Sequence, residues 1–433
     1  MPDIPLEGPT NRVLLLMATQ TYRASAFLEA ASRLDLTVAV GSEETPVLGH
    51  LNPSGNLLVD FHDLEGATDQ IVEFASEYPL KAIVSTDDDG VVLAAMASDA
   101  LGLSHNPLVA VRAARDKYLT RKTLVAAGML TPQFERYLIT DDPAEVAKQV
   151  NYPCVVKPLA LAASRGVMRA DDPEKLVTSF KRLTSILSEI EHVEQAGARE
   201  QILIEDFIPG DEVAVEGMLI DGELLVLAIF DKPDPLNGPY FEETIYVTPS
   251  RHPPDVQEEI ASTTGQAIAA LGLTDGPIHA EMRVNKEGVW MLEVAPRSIG
   301  GYCSRALQFG MDVGLEELIL ERALERPLSS TEAASPASGV MMIPIPKAGI
   351  LCEVQHVEQA RQVTGINEIR LTIPVGQPVL PLPEGSQYLG FIFSRAEFPA
   401  DAEAALREAH EQLNFVILPP DEAELHELEH RSI

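Results

Sequence analysis

Short apolar runs at 12–17, 36–40 and 82–85 alternate with stretches at 24–34, 71–78 and 91–101 where apolar residues return at helical spacing. The runs predict buried strands and the periodic stretches predict helices, so the first hundred residues or so read as a Rossmann-like, doubly wound α/β unit. The first strand-to-helix turn, Ala18-Thr-Gln-Thr-Tyr-Arg-Ala24, lacks the GxGxxG that a dinucleotide pyrophosphate requires. No NAD site is expected there.

Farther along, a helix over 114–127 closes at Gly128, and strand, helix and strand follow at 134–139, 143–150 and 154–157. A long polar helix over 172–194 reads as one face of a lid, followed by a strand at 201–207. Strands 213–220 and 223–231 form a hairpin around Asp221-Gly222, a strong two-residue turn signal. A helix over 255–271 precedes a second hairpin, 278–284 with 289–294, turning at Asn285-Lys-Glu-Gly288. Small residues over 329–338 mark a linker. Beyond it come short strands, an amphipathic helix over 401–413, and an acidic tail expected to be a solvated helix or frayed end.

A length of 433 residues fits two to four packed units. Lys and Arg total 32 against 66 Asp and Glu, a net charge of −34 that repels nucleic acid and anionic lipid. Any phosphate-bearing ligand must then be received by a local basic pocket or a metal. Cys154, Cys303 and Cys352 are far apart and form no CxxC pair, and no apolar run long enough to cross a bilayer and no leader pattern are visible, which together suggest a cytoplasmic protein. P-loop, zincin and α/β-hydrolase motifs are absent.

The second hairpin carries the first chemical signal. Strict alternation puts Ala280, Met282, Val284, Trp290 and Leu292 on a buried face, and Glu281, Arg283, Met291 and Glu293 on the other. An even spacing lets Glu281 face Glu293, where two like charges destabilise the pair unless a divalent cation sits between them. Arg297 follows, then a Gly300-Gly301 loop. Upstream, Lys157 ends an apolar strand and precedes a loop of small residues suited to donating backbone N–H groups to phosphate. Taken singly, Asp116-Lys117 with Arg121 reads as a solvated helix face, Glu205 and Glu212 as an exposed strand edge, and Asp87-Asp-Asp89 as a helix cap.

In order, Asp116-Lys117…Arg121, Val156-Lys157-Pro158, Ser164-Arg-Gly-Val167, Glu205-Asp-Phe-Ile-Pro-Gly-Asp-Glu212, Glu281 and Glu293-Val-Ala-Pro-Arg297 resemble the ATP-grasp superfamily. The segments Phe241-Glu-Glu-Thr-Ile-Tyr-Val-Thr-Pro249 and Leu382-Pro-Glu-Gly-Ser…Tyr388-Leu-Gly-Phe391 look most like the L-amino-acid-ligase type of carboxylate–amine ligase. The resemblance implies a Rossmann-like N-terminal domain over 1–112, a two-lobed α+β ATP-grasp domain over 113–328 with a mobile lid at about 133–205, and a small α+β C-terminal domain over 336–433. It implies ATP and Mg²⁺, for which Mn²⁺ can substitute. Lys117 and Lys157 would hold phosphates, with Ser164 and Gly166 in the closing loop. Glu205, Phe207 and Ile208 would lie against adenine and Glu212 on the ribose. Glu281 and Glu293 would hold metal, Arg297 the activated carboxylate, and Glu243 a substrate ammonium. The implied reaction joins an amino acid or small carboxylic acid to an amine through an acyl phosphate, in a small-molecule enzyme acting alone or as a homodimer. A carboxylase or nucleotide-pathway ligase of the same superfamily, or a non-catalytic nucleotide-binding relative, is the alternative.

Overall fold

The structure, a computed structural model, describes residues 11–424 except 20, 45–51, 160 and 191–196. Near the N-terminus, four parallel strands are ordered Asn56–Leu58, Thr37–Ser42, Arg12–Leu16 and Ala82–Ser85. Alternation along the central strand divides its side chains between two cores. Val13 and Leu15 pack with Phe27 and Leu318, while Leu14 and Leu16 pack with Ile71 and Phe74. A strand buried on both faces must be apolar throughout, which is why this run is readable. The strands' carboxyl ends deliver Thr86–Asp89 to a cavity, the usual location for a ligand in such a sheet.

A second sheet, antiparallel, is ordered Phe134–Leu138, Gln201–Asp206, Cys154–Pro158 and Met168–Ala170. Helix Pro173–Glu189 covers it and buries Leu176, Phe180, Leu183, Ile186 and Leu187. At ~1.5 to 3 kcal/mol per buried side chain, that apolar stripe, not the polar face, holds the helix down. The expected helix over 172–194 therefore ends earlier, and its last residues lie outside the described region.

The largest sheet has eight antiparallel strands, ordered Gly288–Ala295, Gly276–Asn285, Asp211–Ile220, Glu223–Lys232, Ile245–Thr248, Ala337–Ile343, Gly390–Ala396 and Ile366–Leu371. It runs through the small-residue linker: Ala337–Ile343 pairs with Ile245–Thr248, so the C-terminal segment extends this sheet. Asp221 and Gly222 both adopt positive φ, 53° and 87°, the backbone that a tight hairpin turn demands.

Other elements depart from the sequence reading. The helix expected over 114–127 is two, Leu108–Arg115 and Lys117–Ala126. Asp116 breaks them: its backbone is extended and its carboxylate accepts from the N–H groups of Tyr118 and Leu119. The helix around 71–78 begins earlier, as Leu64–Glu77, because Asp63 caps it. The helix expected over 143–150 is a single short turn, Pro143–Val146. Most of the acidic tail lies outside the described residues. Among those described, no helix is long and apolar enough to cross a membrane.

Candidate active site

One cavity of about 450 Å³ opens where the three sheets meet, and every residue to which the resemblance gave a role lines it except Gly166. Its floor is the second hairpin. Glu281 and Glu293 are direct cross-strand partners, the pairing that an even spacing permits. The face assignment needs correction. A bulge at Leu292 shifts the register, so Met282 faces Met291 and Arg283 faces Trp290. Met291 and Val289 are thereby buried with Ala280 and Met282, while Leu292 turns to the cavity beside Glu293.

Lys232 fills a place that sequence reasoning left unassigned. Its ammonium lies 2.9 Å from Glu212 and 2.9 Å from Glu281, contacts Glu243, and sits 4.9 Å from the centre of the Tyr246 ring. Carboxylate oxygens of Glu212, Glu243 and Glu281 lie within 4.8 Å of one another around it. Although burial opposes its charge, the three carboxylates hold its pKa well above the usual lysine value. Burial and the Glu281 charge push Glu243 up to about 7. Glu281 resists burial and stays well below the ordinary value, because Lys232 and His279 both stabilise its anion.

His279 extends this network. Its ring nitrogens reach Glu216 at 3.1 Å and Glu281 at 3.2 Å. Burial works against an imidazolium, yet the two carboxylates raise His279 to about 9. Glu216, wholly buried, also accepts the Ile299 N–H, tying the hairpin to the loop after Arg297. Neither residue was singled out beforehand; strand alternation placing Glu216 and His279 on adjacent strands was the available signal.

At the four-stranded antiparallel sheet, Lys157 and Arg121 converge on Glu205. Arg121 is fully buried and bidentate, at 2.9 and 3.2 Å, so it is no solvated helix face, and Glu205 is no exposed strand edge. Arg121 also donates to the carbonyl of the bulged Leu292 at 2.6 Å, linking this triad to the hairpin. Burial lowers Lys157 to about 8, partly offset by Glu205. Burial pushes Glu205 up, but the two cations outweigh it and bring it to about 2.

Lys117 opens its helix and donates to the Leu161 carbonyl at 2.8 Å, touching the small-residue loop. In that loop Ala163, Ser164 and Gly166 all have positive φ. Phe207 is stacked by the guanidinium groups of Arg169 and Arg283, at 4.1 and 4.9 Å, and the Ile208 carbonyl accepts from Arg283. Glu212 meets Lys232 with one oxygen and Arg283 with the other.

At the opposite wall Arg297 is half-buried and paired with Asp88 at 2.8 Å, while Asp88 also takes Arg115 at 2.6 Å. Against its burial, the two arginines hold Asp88 far below the carboxylate range. Asp88 is therefore neither a free helix cap nor a proton acceptor near neutral pH.

Residues 150–306 match the family model described as the ATP-grasp domain, 28–105 the ATP-grasp N-terminal domain, and 341–417 the L-amino acid ligase C-terminal domain 2. The chain belongs to the ATP-grasp superfamily. The alanine–anticapsin ligase of Bacillus subtilis (strain 168) is 26% identical over 272 residues, 59% of this chain and 57% of that protein. Carnosine synthase 1 of Homo sapiens is 28% identical over 294 residues, 65% of this chain and 34% of the relative. The chain thus spans little more than half the length of the first of these relatives and about a third of the second. The crystal structure of an L-amino acid ligase from Bacillus licheniformis superposes with a TM-score of 0.80 at 26% identity, covering 94% of this chain and 99% of that one. An N5-carboxyaminoimidazole ribonucleotide synthetase from Thermotoga maritima, at TM-score 0.67 and 14% identity, shares the ATP-grasp fold.

Proposed function

We propose that this ATP-grasp chain is an ATP-dependent carboxylate–amine ligase that joins amino acids, or a small carboxylic acid and an amine, through an acyl phosphate. The observation that carries the reading is a single cavity lined by Lys117, Lys157, the Glu281–Glu293 pair, Glu243 and Arg297. The L-amino-acid-ligase C-terminal match and the named ligases among its relatives support it.

In this reading Lys117 and Lys157 face the nucleotide phosphates, and the loop around Ser164 and Gly166 closes on them. Phe207 and Ile208 flank the base beside Glu205, and Glu212 meets the ribose. Glu281 and Glu293 are oxygen donors set directly across two strands, a donor set that suits Mg²⁺ and also Mn²⁺. The metal would offset negative charge on the transferring phosphoryl group. Lys232 and His279, both cationic, keep Glu281 ionised and fix its direction. Arg297 offers a planar fork for the acceptor carboxylate and later for the oxyanion, and Asp88 braces it from behind. Glu243, raised to about 7, can bind the incoming ammonium and take its proton near neutral pH.

The corresponding division of the chain is a nucleotide-fold unit over 1–112, an ATP-grasp unit over 113–328 with its lid at 133–205, and a C-terminal unit over 336–433. The test is ADP release from pairs of amino acids, with the product identified by mass. ADP and dipeptide formed together support the reading; no ADP with any pair and Mg²⁺ present defeats it.

A further inference from the structure

The small-residue loop is fastened from outside the lid. Gly166, with φ +74°, donates its N–H to the Pro383 carbonyl at 2.9 Å, and Arg165 donates to the Glu384 carbonyl at 2.9 Å. From the lid helix, Arg182 grips the Glu384 carboxylate with two nitrogens, one of them at 2.8 Å, and its third donates to the Tyr240 hydroxyl. A second seam lies alongside. Arg169 donates its backbone N–H to Pro239 at 2.9 Å, and Met168 forms a β-bridge with Tyr240.

These anchors are not remote from the chemistry. Pro383 and Glu384 sit just ahead of Tyr388, which lines the cavity, and Tyr240 leads directly into Phe241 and Glu243, which also line it. Each anchoring segment therefore touches the lid at one end and the cavity at the other. The side chains of Arg182 and Glu384 are 38% and 31% exposed, so the pair can part and re-form at small cost. A bidentate, partly exposed clasp suits a lid that must open once per turnover.

We propose that Arg182 and Glu384 are positioning residues that keep the lid shut over the acyl phosphate and so exclude water until the amine attacks. The inference rests on the ligase reading above. When the clasp fails, water attacks the acyl carbon, the bond from that carbon to the bridging oxygen breaks, and phosphate leaves with the oxygen. The carboxylate is regenerated and a proton goes to solvent. The net reaction is ATP hydrolysis with no amide formed.

The experiment measures ADP and amide in the same reaction, using the full chain and an amino-acid pair that the wild type joins. The wild type gives a ratio near one. Glu384→Ala and Arg182→Ala raise the ratio at least ~3-fold and the KM for ATP ~5-fold, with kcat for ADP release within ~2-fold. Glu384→Asp falls between, and Arg182→Glu combined with Glu384→Arg recovers part of the coupling. Tyr240→Phe, which removes only one hydroxyl, shifts the ratio the same way and serves if an alanine variant does not fold. A ratio near one and an unchanged KM in folded Glu384→Ala overturn the clasp while leaving the ligase reading intact. A wild type that releases no ADP with any pair overturns the ligase reading, and the clasp with it.

Discussion

Replacing Glu205 by Gln removes one charge from the buried triad with Arg121 and Lys157 while keeping the side chain's shape. In the folded chain the Glu205 carboxyl falls from the ordinary 4.5 to about 2. At about 1.4 kcal/mol for each pH unit, its ionised form contributes about 3 kcal/mol at neutral pH. This agrees with the ~3 to 5 kcal/mol lost when one partner of a buried ion pair is deleted. The pH window follows from the sign. A depressed carboxyl stabilises fully above its unfolded value of 4.5, and that stability fades as pH falls toward about 2. Lys157 acts in a different range. Its fall from 10.5 to about 8 means the unfolded chain binds the extra proton, so stability rises with pH between those values. Without Glu205, Lys157 loses the anion that offsets its burial, and this rise begins below pH 8. The assay is urea unfolding of both proteins at pH 3, 7 and 9. The gap between them is expected to be about 3 kcal/mol at pH 7 and smaller at pH 3 and pH 9. A gap under about 1 kcal/mol at pH 7 refutes the triad's role.

Glu293→Gln keeps the side chain's size and should abolish ADP release while lowering the unfolding midpoint only slightly, the loss being the charge that acts on Arg297; wild-type turnover in excess EDTA defeats the metal reading. Arg297→Lys keeps the charge but not the fork, so ATP affinity should hold while amide formation falls by ~2 kcal/mol or more in kcat/KM; equal ligation by both proteins rules out the acceptor role. Lys232→Met leaves Glu212, Glu243 and Glu281 crowded without their shared cation, lowering stability by about 3 kcal/mol. Millimolar Mg²⁺ should then raise the midpoint more for this variant than for the wild type, and an equal response counts against a cation site at the triangle.

Much of this architecture follows from local pattern. The strand Arg12–Leu16 is apolar at every position after Arg12, the Asp221-Gly222 turn has one good backbone solution, and ordered short motifs carried the ATP-grasp resemblance. An even spacing allows Glu281 to face Glu293, but the register running back from Asn285 and Gly288 would set Glu281 opposite Leu292, and the bulge supplies the missing step. What escaped depended on register and burial. Without irregularity the first hairpin would set Lys232 opposite Asp211; the shift between Val226 and Ala228 brings it onto Glu212 instead. The Leu292 bulge likewise exchanged Met291 for Leu292 at the cavity. A single extra residue inverts every face beyond it, and nothing in the alternation announces where that residue will fall. Burial of Arg121 and Glu205 and the partial burial of Asp88 were equally unreadable, because a charged residue leaves water only when a partner far along the chain meets it: Glu205 for Arg121, and Arg297 for Asp88. The sequence alone determined which strands and helices form and which chemical groups are available. Only the tertiary structure decided which charges neutralise one another, since that depends on distances between elements far apart in the chain.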